Sequence, residues 1–291
     1  MISRRTAILA VGQAGILPAE SGPSRRDARW PHRLKAYAPS LRTLALTIIM
    51  IWWGAGHVFG SEPLVFESGE ARTMFVELFT SEGCSSCPPA DAWISQLKES
   101  PDLWKKIVPV VFHVDYWDNL GWRDRFAKPE FTARQRRYVA AWRGDSVYTP
   151  GFVVNGREWR DWFGNRALWR ERPAKAGNLR VTLSNETDVT AVFTREDSRT
   201  SPLQLHVALL GSNLESDVKR GENSGRKLRH DFVVLQLAKT DLIASGDRWI
   251  GSISIPKQNA EKPRALAAWV SEEDVDPPIQ ATGGWLASSS Q

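Results

Sequence analysis

The two cysteines of this 291-residue chain, Cys84 and Cys87, are separated by two serines. They directly follow the apolar run 74–80, which predicts a buried strand, and they precede a segment with helical spacing. Two thiols at i and i+3 can close a small disulfide ring, and a helix start offers free backbone N–H groups that stabilise a thiolate. Thiol–disulfide exchange needs one thiolate to attack and a second thiol to release the partner. We therefore interpret Cys84 as the attacking, more exposed thiol and Cys87 as the resolving thiol.

Hydrophobic period and turn residues predict the elements around this motif. The order is a strand, a helix after the cysteines, a strand at 110–114, a helix through 131–142, a hairpin centred on Asn155-Gly156 and a helix over 162–170. From residue 176 the pattern changes to short alternating runs, which predict antiparallel strands. These runs lie at 179–183, 189–193, 203–210, 232–237, 249–255 and 265–270.

The net charge of +5 is unevenly distributed along the chain. Residues 1–43 contain eight Lys and Arg against two acidic residues, which is a net charge of +6, so the remainder has a net charge of −1. A nearly neutral body offers no surface for phosphate binding, and nucleic acid is therefore excluded as a partner. The basic tail precedes an apolar run at 44–60, which is typical of a secretory signal or, if uncleaved, a membrane anchor. We expect an exported chain, periplasmic or secreted.

The CxxC motif at a strand-to-helix junction, together with Tyr148-Thr149-Pro150 before a hairpin, resembles the thioredoxin superfamily over residues 72–171. This resemblance implies that Pro150 is cis and packs with Thr149 beside the cysteines. It also implies a buried acid that transfers protons, for which Glu77 is the candidate; the alternative is that Glu77 simply pairs with an arginine. The expected catalytic set is Cys84, Cys87, Pro150, Thr149 and Glu77.

Three segments, at 76–91, 112–118 and 146–150, resemble the secreted family called domain of unknown function 1223. That resemblance covers most of the exported chain and implies an α/β thioredoxin-like domain followed by an antiparallel, sandwich-like β domain. The expected domains are a disordered extension with a signal peptide or anchor at 1–60, the thioredoxin-like domain at 61–171 and the β-rich domain at 172–291.

Other uses of the cysteines remain open. They could form a structural disulfide, although a bridge over so short a loop constrains the unfolded chain little. With His113 or Asp115 they could bind a metal, but a single CxxC is only half of a zinc site. The exchange hypothesis needs no separate cofactor, and its partners are thiol- or disulfide-containing proteins and a redox protein that recharges the dithiol. The rival hypothesis is a non-catalytic binding protein of the cell envelope.

Overall fold

The strand that leads to the cysteines forms where the sequence predicts it, at Met74–Thr80, and all its residues after Met74 are buried.

The computed structural model describes residues 62–164, 174–196, 201–256, 261, 263–272 and 277–286. In these ranges the α-helices are α1 (Pro88–Ser95) and α2 (Pro129–Ala141). Short 3-10 helices lie at Gln96–Glu99, Asp118–Leu120 and Asp161–Gly164.

Fourteen strands lie in the described ranges. They are β1 (Leu64–Glu67), β2 (Met74–Thr80), β3 (Ile107–His113), β4 (Gly151–Val154), β5 (Arg157–Glu158), β6 (Gly177–Ser184), β7 (Asp188–Arg195), β8 (Leu203–Gly211), β9 (Leu214–Asp217), β10 (Lys227–His230), β11 (Val233–Ser245), β12 (Arg248–Ser254), β13 (Ala265–Ser271) and β14 (Gln280–Trp285).

The local predictions from sequence are mostly confirmed. The Asn155-Gly156 turn joins β4 to β5, and both residues have positive φ, as this type of hairpin turn requires. Both α-helices begin with proline, which costs little at the first helical position because its missing N–H has no partner there. The helix predicted over 162–170 is only a 3-10 turn up to Gly164, and the rest of that prediction lies outside the described residues.

Twelve of the strands form one mixed sheet. Its main path runs β1-β6-β7-β12-β11-β3-β2-β4-β5, with β8 between β11 and β13 and with β14 beyond β13. The long strand β11 joins the two halves of the chain, since Val233 pairs in parallel with Val111 of β3 while the same strand runs antiparallel to β8. The remaining two strands, β9 and β10, form a separate hairpin.

Two hydrophobic cores lie on opposite faces of β8 and β13. Along β13, Ala265, Ala267 and Trp269 enter the core that also contains residues of both α-helices, whereas Leu266, Ala268 and Val270 enter the core formed with β6 and β7. Side chains alternate across a strand, so a strand between two cores is apolar at every position. This arrangement explains why all seven residues of β13 are buried.

The predicted fold class, an α/β thioredoxin-like domain followed by a sandwich-like β domain, is wrong. The described residues form a mostly β structure in which one mixed sheet of twelve strands includes both halves and only two α-helices occur. The prediction failed because individual strands can be read from their pattern but their pairing partners cannot. The apolar runs at 203–210 and 265–270 predict strands of a separate antiparallel sheet, whereas the sheet that contains them continues through β11 into β3.

The predicted division at residues 171 and 172 lies in a stretch outside the described residues, and the division into two domains stays a prediction. The predicted signal or anchor within residues 1–60 lies outside them as well. No helix in the described ranges has the length and apolar character needed to cross a membrane.

Candidate functional site

Both cysteines lie in the turn that connects β2 to α1. The amide of Cys84 donates to the carbonyl of Ser81 at 3.2 Å, and the amide of Cys87 donates to the carbonyl of Cys84 at 3.2 Å. Cys87 directly precedes Pro88, the first residue of α1, and its carbonyl accepts the first helical hydrogen bonds from Ala90 and Asp91. The predicted strand-to-helix junction is confirmed, with Cys87 rather than Cys84 immediately at the helix start.

The environment of Cys84 favours its thiolate. Hydrogen bonding from Cys87 lowers the pKa of Cys84 to about 6, with further contributions from Ser86 and Thr149, while burial opposes the shift. The Cys84 Sγ lies 3.2 Å from the Ser86 Oγ. A thiol with this pKa is ionised at neutral pH, and its thiolate is the form that attacks disulfides.

The environment of Cys87 favours the neutral thiol. Burial raises the pKa of Cys87 far above its ordinary range, and hydrogen bonding to Cys84 and the charges of Cys84 and Asp91 raise it further. The two neighbouring thiols are therefore strongly unequal, with the negative charge on Cys84. Thiol–disulfide exchange uses such a difference in pKa, because one cysteine attacks as a thiolate while the other stays protonated until it resolves the mixed disulfide.

Thr149 and Pro150 lie beside the cysteines. The Thr149–Pro150 peptide bond is cis, which confirms the prediction. The carbonyl oxygen of Thr149 lies 3.9 Å from the Cys84 Sγ and accepts a weak S–H hydrogen bond when the thiol is protonated. The Thr149 hydroxyl accepts a hydrogen bond from the indole N–H of Trp117 at 2.8 Å, which fixes the turn against the loop after β3.

Glu77 lies apart from this group. Its Oε1 accepts a hydrogen bond from Arg134 at 2.7 Å, and its Oε2 accepts one from the Tyr138 hydroxyl at 2.6 Å. Glu77 and Thr80 are three residues apart on β2, so they project from opposite faces of the strand, and Thr80 is the one that contacts α1 through Asp91. The structure therefore gives Glu77 the alternative role that the sequence left open, a buried pair with an arginine.

A buried acid–histidine cluster lies next to Cys87, and sequence reasoning identified only one of its members. It consists of Glu82, Asp91, His113, Asp124 and His230, all nearly inaccessible to solvent. That member is His113, which the sequence offers as a possible metal ligand, and its Nδ1 lies 2.6 Å from an Asp124 oxygen. Asp91, four residues after Cys87, could have been found by helical spacing. His230 comes from β10, and no local signal in the sequence links it to the cysteines.

A loop from the distant half of the chain covers the cysteine turn. We call residues 218–226, between β9 and β10, the clasp loop. The side-chain amide of Asn223, which is fully buried, donates to the carbonyls of Glu82 and Cys84, each at 2.9 Å. Glu222 accepts a hydrogen bond from the amide of Ser85 at 3.1 Å.

The expected exposure of Cys84 is not observed. Neither Cys84 nor Cys87 has any solvent-accessible surface, and both are free thiols. The metal alternative gains no geometric support, because the described residues contain no group of three or more His, Cys, Asp and Glu side chains placed to hold a metal ion.

The chain matches the family described as "Protein of unknown function (DUF1223)" over residues 75–271, which is more than half of its length. Among solved structures, a crystal structure of protein AGR_C_4864 from Agrobacterium tumefaciens is similar, with 23% identity, a TM-score of 0.49, and coverage of 77% of this chain and 98% of that one. HBP35 of Porphyromonas gingivalis is similar with 16% identity, a TM-score of 0.46, and coverage of 75% and 76%. No curated protein matches. The thioredoxin superfamily is not confirmed by these comparisons.

Proposed function

The chain belongs to the DUF1223 family, and for this member of the family we propose an activity: it is a thiol–disulfide oxidoreductase that acts through Cys84 and Cys87 on cysteines of partner proteins. The observation that supports this proposal best is the inequality of the two thiols, with the pKa of Cys84 lowered to about 6 and that of Cys87 raised. The local resemblance to the thioredoxin superfamily, in the CxxC motif and the Thr149–Pro150 turn, supports the same activity.

The exchange proceeds in two displacements. The Cys84 thiolate attacks one sulfur of a partner disulfide, which forms a mixed disulfide and releases the other partner sulfur as a thiolate. Cys87 then loses its proton and attacks the Cys84 Sγ, which forms the Cys84–Cys87 disulfide and releases the second partner sulfur. The partner is reduced by two electrons and the dithiol is oxidised. The same steps in reverse oxidise a partner dithiol, so the dithiol itself is the redox centre and no separate cofactor takes part.

The proposal extends to compartment and partners. The layout of residues 1–60 is that of a signal or anchor, and the proposed place of action is therefore an exported, disulfide-forming compartment such as the periplasm. The proposed partners are thiol- or disulfide-containing proteins and a second redox protein that returns the dithiol to its starting state.

The direct test is the reduction potential of the Cys84/Cys87 pair, measured on the full chain in glutathione buffers. We expect a potential above about −300 mV, which marks an exchangeable rather than a structural disulfide. In parallel, Cys87→Ser should accumulate a mixed disulfide with a peptide that carries a disulfide, because the resolving thiol is missing. Cys84→Ser, the matched control, should not. A potential far below this value, with no trapped species, would refute the activity.

A second candidate function is supported by one observation: both cysteines are completely buried, and the turn that contains them is hydrogen-bonded to the clasp loop. In a non-catalytic binding protein the cysteine turn would serve only to hold that loop. The variant Cys84→Ser separates the two functions: exchange would be lost under the first, and nothing but stability would change under the second.

A further inference from the structure

Two consecutive residues of the clasp loop bind both polar groups of a single peptide unit, the one that links Cys84 to Ser85. The Asn223 side-chain amide donates to the carbonyl oxygen of this unit at 2.9 Å, and the Glu222 carboxylate accepts a hydrogen bond from its N–H at 3.1 Å. A peptide unit is planar and rigid, so contacts at its oxygen and its hydrogen fix its rotation about the line that joins the two Cα atoms. The second half of the chain therefore sets the orientation of the peptide unit beside the attacking thiol.

The side chain of Asn223 is held in one orientation. The residue is fully buried, its amide nitrogen donates to the carbonyls of Glu82 and Cys84, each at 2.9 Å, and its Oδ1 accepts a hydrogen bond from Arg226 at 2.8 Å. A guanidinium can only donate and a carbonyl oxygen can only accept, so the nitrogen and not the oxygen must face the cysteine turn. Asn223 is thus a fixed, buried donor.

The clasp loop reaches the cysteine turn in a defined shape. The amide of Val218 donates to the Arg226 carbonyl at 2.9 Å, and the amide of Gly225 donates to the Val218 carbonyl at 2.8 Å, so the two ends of the loop are tied together. Gly221 has a φ of 76°, and a Cβ atom there would lie 3.2 Å from the Trp122 Cβ, which explains the glycine at this close approach. The two residues that bind the peptide unit follow directly, on a loop that is already ordered.

The held peptide unit adjoins the groups that donate to the Cys84 sulfur. The Ser86 hydroxyl oxygen lies 3.2 Å from the Cys84 Sγ, and the Ser86 amide bonds to the same sulfur. The backbone torsions of Ser85 are all that separate the Ser86 amide from the held plane. Fixing the plane therefore keeps the donors of Ser86 on the sulfur, where they favour its thiolate.

We propose that Glu222 and Asn223 are positioning residues for the attacking thiol. They hold the peptide unit after Cys84 and thereby keep the Ser86 donors on the sulfur, which stabilises the dithiol relative to the disulfide. This inference rests on the proposed exchange function. A more stable thiolate raises the reduction potential of the pair, because the thiolate exists only in the reduced form. The second half of the chain then tunes the redox properties of cysteines that lie in the first.

The test compares two variants of Glu222, an exposed residue. Glu222→Ala removes the acceptor for the Ser85 amide, whereas Glu222→Gln keeps an acceptor oxygen and removes only the charge. In the full chain, two quantities are measured: the pH midpoint of Cys84 alkylation by iodoacetamide, and the reduction potential of the pair in glutathione buffers at pH 8. The midpoint reports the stability of the thiolate, whereas the plateau rate reports access to it.

The expected shifts follow from the lost hydrogen bonds. Glu222→Ala should lower the acid dissociation constant of Cys84 about 3-fold, the size of one net hydrogen bond, and should also lower the potential. Glu222→Gln should recover the wild-type midpoint and potential. Asn223→Ala, which removes the buried donor, should lower the acid dissociation constant about 10-fold, which corresponds to a potential lower by about 30 mV.

A control and a rival explanation accompany these variants. Ser224→Ala alters an exposed hydroxyl that donates to the Lys219 carbonyl within the same loop, and it should shift neither quantity. The rival explanation is the charge of Glu222 alone. An anion near the thiolate disfavours it, so loss of the charge would lower the midpoint equally in Glu222→Ala and Glu222→Gln.

The outcomes separate this inference from the function on which it rests. A wild-type potential far below about −300 mV, with no mixed disulfide trapped by Cys87→Ser, would refute the exchange function itself. If the wild type exchanges, while Glu222→Ala and Asn223→Ala keep its midpoint and potential, the positioning role alone is overturned. The same holds if Glu222→Gln shares the shift of Glu222→Ala, because the hydrogen bond is then not the cause.

Discussion

The side-chain amide of Asn223 lies 2.9 Å from the carbonyl oxygen of Cys84, although 139 positions separate the two residues. The clasp loop thereby fixes the backbone of the cysteine turn from outside. Glu222 of the same loop accepts a hydrogen bond from the Ser85 amide, so the loop holds the backbone on both sides of the buried Cys84 side chain. The hydrogen bonds of Asn223 are therefore the first contacts to examine for their effect on reactivity.

Replacing Asn223 with alanine should both destabilise the chain and expose Cys84. The carbonyls of Glu82 and Cys84 would lose their buried donor, which costs about 1–3 kcal/mol of unfolding free energy. We also expect alkylation of Cys84 by iodoacetamide to be about 10-fold faster, a change of about 1.4 kcal/mol in the opening equilibrium. Ser224→Ala, an exposed residue of the same loop, is the control and should change neither quantity. An unchanged alkylation rate in Asn223→Ala would mean that the clasp loop does not limit access.

The rate of Cys84 alkylation should increase with pH around a midpoint near 6 and level off above it. The reason is the lowered pKa of its thiol, to which Cys87 contributes most. Alkylation followed by mass spectrometry of the peptide that contains each cysteine gives the profile. In Cys87→Ala the midpoint should move upward, whereas Cys87→Ser, which keeps a hydroxyl donor, should shift it less. A midpoint near the ordinary value of 9 in the wild type would contradict this assignment.

Glu77→Gln should affect stability and not exchange. The change removes the carboxylate charge that pairs with the buried Arg134 guanidinium, and breaking such a buried ion pair costs about 3–5 kcal/mol. Denaturant unfolding measures the loss. The control is Glu67→Gln, which breaks an exposed pair with Arg180 and should cost less than about 1 kcal/mol. A lower exchange rate of the folded Glu77→Gln protein would restore the proton-transfer role that the sequence suggested for this residue.

The contribution of His230 to stability should depend on pH. Burial disfavours its charge, but Asp91 and Glu82 raise the pKa of the folded state from 6.5 to about 10, so folding favours the protonated ring. The stabilisation is therefore complete below pH 6.5 and is lost as pH rises toward 10. The difference in unfolding free energy between the wild type and His230→Gln should shrink over this interval. If the difference grows or stays constant, the ring is not held as a cation.

Much of the site could be predicted because its chemistry is local in sequence. The CxxC motif, the junction of β2 with α1 and the cis Thr149–Pro150 bond all follow from short segments whose residue types specify a turn or a helix start. The positions of strands such as β2 and β13 could also be predicted, because runs of apolar residues mark them in the sequence.

The parts that the sequence did not predict depend on distant pairing. Nothing in the segment around Val233 indicates that it lies beside Val111, and the sheet that joins the halves was therefore missed. The same holds for Asn223 and His230, because only the tertiary structure places them near the cysteine turn. Glu77 is a different case: the family resemblance suggests a proton-transfer role, but the odd spacing from Thr80 places Glu77 on the far face of the strand, where it pairs with Arg134.

The pairing of β3 with β11 has a consequence for truncated forms of the protein. The amide of Val111 donates to the carbonyl of Phe232 at 2.9 Å, so a chain that ends at residue 171 would present β3 as an open sheet edge. The residues from Val108 to Phe112 are apolar. Pro109 has no N–H to offer at that edge, but the Val111 amide would be left unpaired, and an uncovered apolar edge recruits strands from other molecules. Expression of the first half alone should therefore yield aggregates. In the full chain, β11 from the second half covers the edge of β3 and so prevents the first half from associating with other copies.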